Sequence, residues 1–231
     1  MAEKIVSTKD NLQILHEDNH IVAINKRVGD IVQGDKTGDK PLSEVVKEYI
    51  KEKYNKPGEV FLGVVHRLDR PTTGIVVFAK TSKALERLNK MFSERETNKT
   101  YWAVVKNKPP KNEDNLIHFL KRNEKNNTSK AHLKEVPESK KASLDYKIIK
   151  ELNNYFALEI NLHTGRHHQI RAQLQAIGCP IKGDLKYGFD RSNPDGGIHL
   201  HARKLAFVHP VSKEKIEIIA PTPSDAIWNS I

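Results

Sequence analysis

The chain has 231 residues, enough to bury a sizeable core without disulfide staples. It carries 39 Lys and Arg against 29 Asp and Glu, a formal charge of +10, and that surplus points to a polyanionic partner, with a merely soluble basic surface as the plain alternative. The single cysteine, Cys179, excludes an internal disulfide and any multi-cysteine zinc site. Beside Pro180, after an apolar helical pattern, it reads as a small packed core residue. The opening MAEKIVSTKDN is no signal peptide, and no apolar window approaches membrane-spanning length, so the cytoplasm is the expected location.

Residues 12–26 (LQILHEDNHIVAINK) give two short apolar runs split by Glu17-Asp18-Asn19, which predicts two strands. In PLSEVVKEYIKEKY, residues 41–54, the side chains Leu42, Val45, Val46, Tyr49 and Ile50 share one helical face, and Lys56-Pro57-Gly58 ends the pattern. Strands are predicted at 61–65 and 75–79. A helix follows at 81–96, with Leu85, Leu88, Met91 and Phe92 on one face and Thr81 or Ser82 as its cap. Residues 101–105 (YWAVV) form a strand. The chain then turns polar, basic and nearly aromatic-free over 106–141. Only 116–120 looks able to make a short strand there, so the segment is expected to be a mobile surface excursion, either touching phosphates or simply solvated. Strands are predicted again at 144–149 and 155–162, a helix at about 166–177 closed by Gly178 and Pro180, and strands at 200–208 and 216–219. No repeat and no dividing linker is visible. Many strands with few helices in irregular alternation argue α+β rather than a doubly wound parallel sheet.

Three segments carry candidate chemistry. In HRLDRPTTGIVVFAK, residues 66–80, Asp69 stands between Arg67 and Arg70, ahead of a rigid turn (Pro71, Thr72, Thr73, Gly74) and an apolar strand. Flanking guanidiniums favour the ionised carboxylate, which suits a nucleophile or a stabiliser of positive charge better than a general acid. A structural ion pair at a turn is the bland alternative. In LHTGRHHQIRAQLQAIGCPIKGD, residues 162–184, a strand runs into a helix whose first amides form a ready anion site. At about 100° per residue, Ile170, Leu174 and Ile177 make its buried face and Arg171 its edge, with Arg166 and His167 nearby. A cation at a core boundary needs a carboxylate or a phosphate, and Asp69 is the natural candidate for Arg171. His163, His167 and His168 lack both a cysteine and the HExxH spacing, so no metal is expected. In KTYWAVV, Tyr101 opens a strand as a packed aromatic with its hydroxyl at the rim. HLHARKLAFVHP, residues 199–210, alternates like an ordinary strand, with His201 and Arg203 on one face turned to solvent.

Taken in order, ILHEDNHIVAINK, HRLDRPTTGIVVFAK, KTYWAVV, TGRHHQIRAQLQAIGCPIKGDLKYG and LHARKLAFVHP resemble the RluA-type family of RNA pseudouridine synthases over nearly the whole chain. The resemblance implies an isomerase that cuts uridine's N-glycosidic bond, turns the base and rejoins it through C5, with no cofactor and no metal. It implies a single α+β catalytic domain over residues 1–231, built on a large mixed, mostly antiparallel sheet flanked by helices, with a basic cleft. By position Asp69 matches the attacking carboxylate, Tyr101 the tyrosine that stacks on the base and assists loss of the C5 proton, and Arg171 the basic residue paired with the aspartate. Attack at ribose C1′ and at base C6 both stay open. Arg67 matches the arginine that takes the place of the flipped-out uridine, extrusion being needed because the carboxylate cannot reach a stacked base. Arg70, Arg166 and His167 join it as RNA-binding candidates, and Ile75 and Leu205 as pocket wall.

The pattern begins by about Leu12, so the N-terminal S4-type domain of many relatives is not expected here, and RNA choice should rest on the catalytic domain and the 106–141 excursion. Arg27 stands where the family often has proline, and His167 where threonine is common, which bears on substrate preference. The expected partner is RNA, ribosomal before transfer RNA, with no membrane and the chain a monomer. The alternatives are an idle RNA-binding ribosome-assembly factor on the same scaffold, and a metal-dependent nuclease or hydrolase.

Overall fold

Two apolar runs, IVAINK and TGIVVFA, are buried along their whole length, which calls for cover on both faces of the ladder they form. The computed structural model describes residues 5–35 and 37–231 and groups the chain into two compact units: residues up to Thr97 with Ala202–Thr222, and Asn98–His201 with Pro223–Ile231. The first unit opens with β1 (Ile14–Glu17), β2 (Ile21–Lys26), α1 (Leu42–Lys53), β3 (Gly63–Val64), β4 (Thr73–Ala79) and α2 (Ser82–Glu94). Antiparallel pairing of β2 with β4 runs from Ile21 opposite Ala79 to Lys26 opposite Gly74. Alternate side chains then go to opposite helices. Val22, Ile24, Val76 and Phe78 pack with Leu42, Val46 and Ile50 of α1, while Ile21, Ala23, Ile75 and Val77 pack with Ala84 and Leu88 of α2. Thr81 caps α2 by accepting from the Ala84 amide at 3.2 Å, and Arg95 ends it in the left-handed conformation.

The second unit holds β5 (Asn98–Val105), β6 (Glu113–Asn123), β7 (Thr128–His132), β8 (Lys140–Glu151), β9 (Phe156–Leu162) and α3 (Gln169–Ala176). Its strands lie in the order β5-β9-β8-β6-β7, each neighbouring pair antiparallel. Ile170 and Leu174 of α3 pack on Ala103, Leu116, Leu144, Leu158 and Ile160, with Cys179 beside them. Burial lifts the Cys179 thiol to about 11, as suits an inert core residue. The chain leaves this unit along β10 (Leu200–Val208), whose later residues belong to the first unit, and pairs there with β11 (Lys215–Ile219). Gly74 is required where β4 meets β10. At φ +112°, a Cβ there would lie 2.4 Å from the Ala202 carbonyl oxygen. The architecture is α+β, with the three helices laid on largely antiparallel strands.

The segment 106–141 departs from expectation. Instead of a mobile excursion with one short strand it forms a hairpin, β6 to β7, whose outer strand closes the sheet and whose inner strand pairs with β8 over eight residues, Glu113 opposite Lys147 to Leu120 opposite Lys140. The polar composition hid a period of two in which Leu116, His118 and Leu120 alternate with Ile117, Phe119 and Lys121, and only the first set is buried. His201 also departs: it is fully buried, 6.0 Å from the Trp228 ring, while Arg203 turns to the Ala220 carbonyl.

Glu17 ends β1 with a side chain only 7% exposed. It accepts hydrogen bonds from Lys53 at 2.7 Å, Lys80 at 2.8 Å, Tyr54 at 2.9 Å and Tyr49 at 3.0 Å, which ties β1 to α1 and to the residue after β4. Burial by itself raises its pKa, but these donors together bring it down from 4.5 to about 2. A carboxyl depressed on folding stabilises the native state above its unfolded pKa, and that contribution fades as pH falls through the folded one. Acid unfolding should therefore weaken the first unit between about pH 4.5 and 2. In the Glu17→Gln variant, stability at pH 7 should fall by about 2–3 kcal/mol, and the acid-dependent part of the urea-unfolding curve should shrink.

Candidate active site

Asp69 lies half-buried in the loop between β3 and β4, with Arg67 exposed and Arg70 half-buried beside it. The Thr72 amide donates to the Asp69 carbonyl at 3.0 Å and closes a four-residue turn with Arg70 and Pro71 at its centre. His66 pins the loop from the other side: its Nε2 accepts from the Val77 amide at 3.1 Å, and its ring stacks on Phe92 at 4.8 Å. Beneath the turn sits Lys26, the last residue of β2 and 1% exposed. Its ammonium donates to three carbonyls, of Arg27 at 2.8 Å, Arg70 at 3.1 Å and Thr72 at 2.8 Å. Burial lowers its pKa to about 7, opposed by the Asp30 and Asp69 carboxylates and assisted by Arg70. Three acceptors call for three N–H donors, so the ammonium is the form that this geometry satisfies. The Gly29 amide also donates to the Arg70 carbonyl, at 3.0 Å. Arg70 itself pairs with Asp39 at 2.5 Å, on the rim of a cavity also lined by Ser7, Asp30, Lys40 and Glu48. Ile75 and Leu205, 1% and 3% exposed, sit together in the hydrophobic cluster under α2.

In the second unit Tyr101 lies on β5 opposite Ile160, partly buried against the α3 cluster. Arg171 is 4% exposed, and a bidentate bridge holds it to Asp184, with Nε to Oδ2 at 2.7 Å and Nη2 to Oδ1 at 2.8 Å. Its guanidinium lies over the Tyr187 ring, 4.9 Å from the centroid. The Tyr187 hydroxyl takes the Ser129 amide at 2.8 Å and meets His168 Nδ1 at 2.9 Å. His167 Nδ1 meets Ser129 Oγ at 2.9 Å, and its ring stacks on His168 at 3.8 Å.

The helix starts three residues later than the sequence predicts. His168 sits in the left-handed conformation at φ 52°, and Arg166 and His167 precede the first turn. Gln169 organises this entry. Its Oε1 accepts from the Arg166 amide at 3.0 Å and from the Thr164 hydroxyl at 2.7 Å, while its Nε2 donates to the Ser143 carbonyl at 3.1 Å. The Arg166 amide expected to wait for an anion is thus held by a side chain of the protein. The Arg166 side chain donates from Nε to the Lys141 carbonyl at 3.2 Å. The three histidines of this stretch diverge, His163 to Asp145 at 2.6 Å, His167 to Ser129 and His168 to Tyr187. Among the described residues no three His, Cys, Asp or Glu side chains converge on a point where a metal ion would sit.

The first unit thus holds a carboxylate on a hydrogen-bonded turn, and the second holds a buried guanidinium oriented on α3. Comparison with known proteins identifies the class of the chain. Residues 20–176 match the model of the RNA pseudouridylate synthase family, and the chain belongs to that family. It is 32% identical to an uncharacterised RNA pseudouridine synthase of Chlorobaculum parvum, over 93% of this chain and 72% of that one. It is 34% identical to the ribosomal large subunit pseudouridine synthase C of Rickettsia bellii, over 97% and 71%. The fold is that of human RNA Pseudouridylate Synthase Domain Containing 4, with a TM-score of 0.79 at 22% identity, covering 94% of this chain and 90% of the other. The chain is an RNA-modifying isomerase of this class.

Lys26, Asp184, Tyr187 and Ser129 were not singled out in the sequence. Asp184 had a signal, being the first carboxylate after Glu159 and lying 13 residues beyond Arg171. Lys26 had none, because a lysine at a strand end normally reaches water. Asp184→Asn removes the charge that the buried Arg171 guanidinium pairs with through two N–H groups, so stability should fall by about 3–5 kcal/mol in urea unfolding. Asp190→Asn, at the exposed pair with Lys106, should give no measurable shift. Lys26→Met removes the donor from three carbonyls at once and should lower the melting temperature while abolishing turnover.

Proposed function

We propose that this protein converts specific uridines of ribosomal RNA to pseudouridine, with Asp69 as the attacking carboxylate. The observation that carries the reading is the immobilised Asp69 turn, held by Lys26 below, by the Thr72 amide within and by His66 behind. A nucleophile gains most when its backbone does not have to be ordered during the reaction. The relatives named as large-subunit synthases favour ribosomal RNA as the substrate class. The chemistry is an isomerisation. The N1–C1′ bond breaks, the base turns, a C5–C1′ bond forms, the C5 proton leaves and N1 ends protonated. Atoms and electrons balance without a cofactor.

Roles follow position and environment. Arg67, exposed in the same loop, is the side chain we assign to fill the space left by an extruded uridine. Tyr101 offers a ring for stacking on the base and a hydroxyl for the C5 proton. Arg171, locked by Asp184, supplies a cation whose direction does not drift.

The test is site-resolved pseudouridine mapping on transcribed large-subunit rRNA with purified wild-type, Asp69→Ala and Asp69→Asn proteins, alongside transfer RNA. Wild type should modify discrete uridines of the rRNA, with activity unaffected by EDTA. Both variants should lose at least about 10³-fold while still binding RNA. Turnover retained by Asp69→Asn removes the nucleophile assignment, and modification of transfer RNA alone removes the substrate class. A wild type that binds rRNA but modifies neither RNA leaves the idle assembly factor.

A further inference from the structure

The β6–β7–β8 meander has two unlike faces. Leu116 and Leu120 of β6, with Ala142 and Leu144 of β8, are buried in the clusters that include Ile170, Ala172 and Leu174 of α3. The opposite face carries Ile117, Phe119 and Lys121 of β6, which alternate with that buried set. The ladder places Lys121 directly opposite Lys130 of β7, and Phe119 opposite both His132 of β7 and Lys141 of β8. Lys130 and Lys141 are exposed, Phe119 and His132 half-buried, and Ile117 is 47% exposed. Arg166 reaches the same strand through its bond to the Lys141 carbonyl. From 121 to 141 the chain carries seven Lys and Arg against three Glu.

Facing like charges destabilise an antiparallel pair, so a Lys–Lys row is an unfavourable choice for a structural strand. One lysine is partly compensated: Lys121 pairs with Glu138 at 3.0 Å, but the two side chains are 43% and 80% exposed and water competes for both. A row of lysines next to a row of rings is the composition that tracks a nucleic-acid backbone while its bases stack. We propose that this face, turned away from α3, is an RNA-docking surface. Phosphates pair with Lys121, Lys130 and Lys141, and a base stacks on Phe119. The inference rests on the reading that the chain acts on RNA, and extends it to a surface that holds the substrate beyond the reacting uridine.

The test uses the purified full chain and a fluorescein-labelled large-subunit rRNA stem-loop, with affinity measured by anisotropy across a salt series. Lys121→Gln/Lys130→Gln should weaken binding severalfold and reduce the log–log salt slope by about 1.5, as expected for two lost phosphate contacts. The same variant should melt at a higher temperature than wild type, because the repulsion is gone, and a damaged fold cannot produce that combination. Phe119→Ala should weaken binding with little change in slope. The control Lys51→Gln/Lys56→Gln, of equal charge change on the other unit, should alter the slope much less. Unchanged affinity and slope, or an equal loss in the control, overturns the proposal. So does intact RNA binding with altered sedimentation, which assigns the face to a second copy of the chain. Pseudouridine formed normally with unchanged affinity sinks this inference alone, whereas the expected loss of affinity with no pseudouridine from wild type sinks the enzymatic reading and leaves the surface.

Discussion

A buried ammonium organises the turn that carries Asp69. Lys26 lies 1% exposed under residues 70–72 and donates to three main-chain carbonyls, two of them belonging to the turn itself. Burying a charge is unfavourable unless every donor finds a partner, and here every donor does. The unfavourable burial also favours this course of the loop, because the turn supplies two of the three acceptors that the ammonium needs. Residues 66–72 therefore have little freedom, and the position of Asp69 follows from β2 as much as from its own neighbours.

The second unit reaches a similar end by different means. Arg171 is buried on a short helix and held through Nε and Nη2 by Asp184, and Tyr187 lies under its guanidinium plane. Tyr187 then accepts from the Ser129 amide and meets His168, so the β7 edge strand, the entry to α3 and the turn after it are joined through one hydroxyl. Gln169, the first residue of α3, ties down the chain that leads into the helix by folding its amide back on Thr164, Arg166 and Ser143. Both units orient a charged side chain or turn through polar contacts that are themselves buried, which favours precise orientation over net stability.

The hairpin of β6 and β7 shows how little a polar composition says about order. Its inner face needs only Leu116, His118 and Leu120 to join the core, and eight ladder positions with β8 supply the rest. Gln173, fully buried on α3, donates to the Leu116 carbonyl at 3.0 Å and approaches His118 Nδ1 at 3.1 Å, so the strand also carries polar anchors. The lysine-rich outer face is then a property of a firm strand rather than of a loose loop.

Much of this protein was legible in the residues themselves. Leu200–Val208 and the pair of strands around Glu17-Asp18-Asn19 stand where apolar period and turn composition place them, and α1 and α2 follow their 3.6-residue spacing. The order of motifs declared the class. What one dimension does not carry is the partner of a buried charge. Asp184 for Arg171 and the Arg70 and Thr72 carbonyls for Lys26 are separated from those side chains in sequence by amounts that only folding brings to hydrogen-bond distance. The start of α3 belongs with them: the pattern allowed a helix from 166, but the left-handed His168 and the Gln169 side chain delay it to 169. Local periodicity decides which segments become strands and helices, because it depends on which faces are apolar. The tertiary structure alone decides where a desolvated charge finds its donors and acceptors, because those contacts are short-ranged in space and indifferent to distance along the chain.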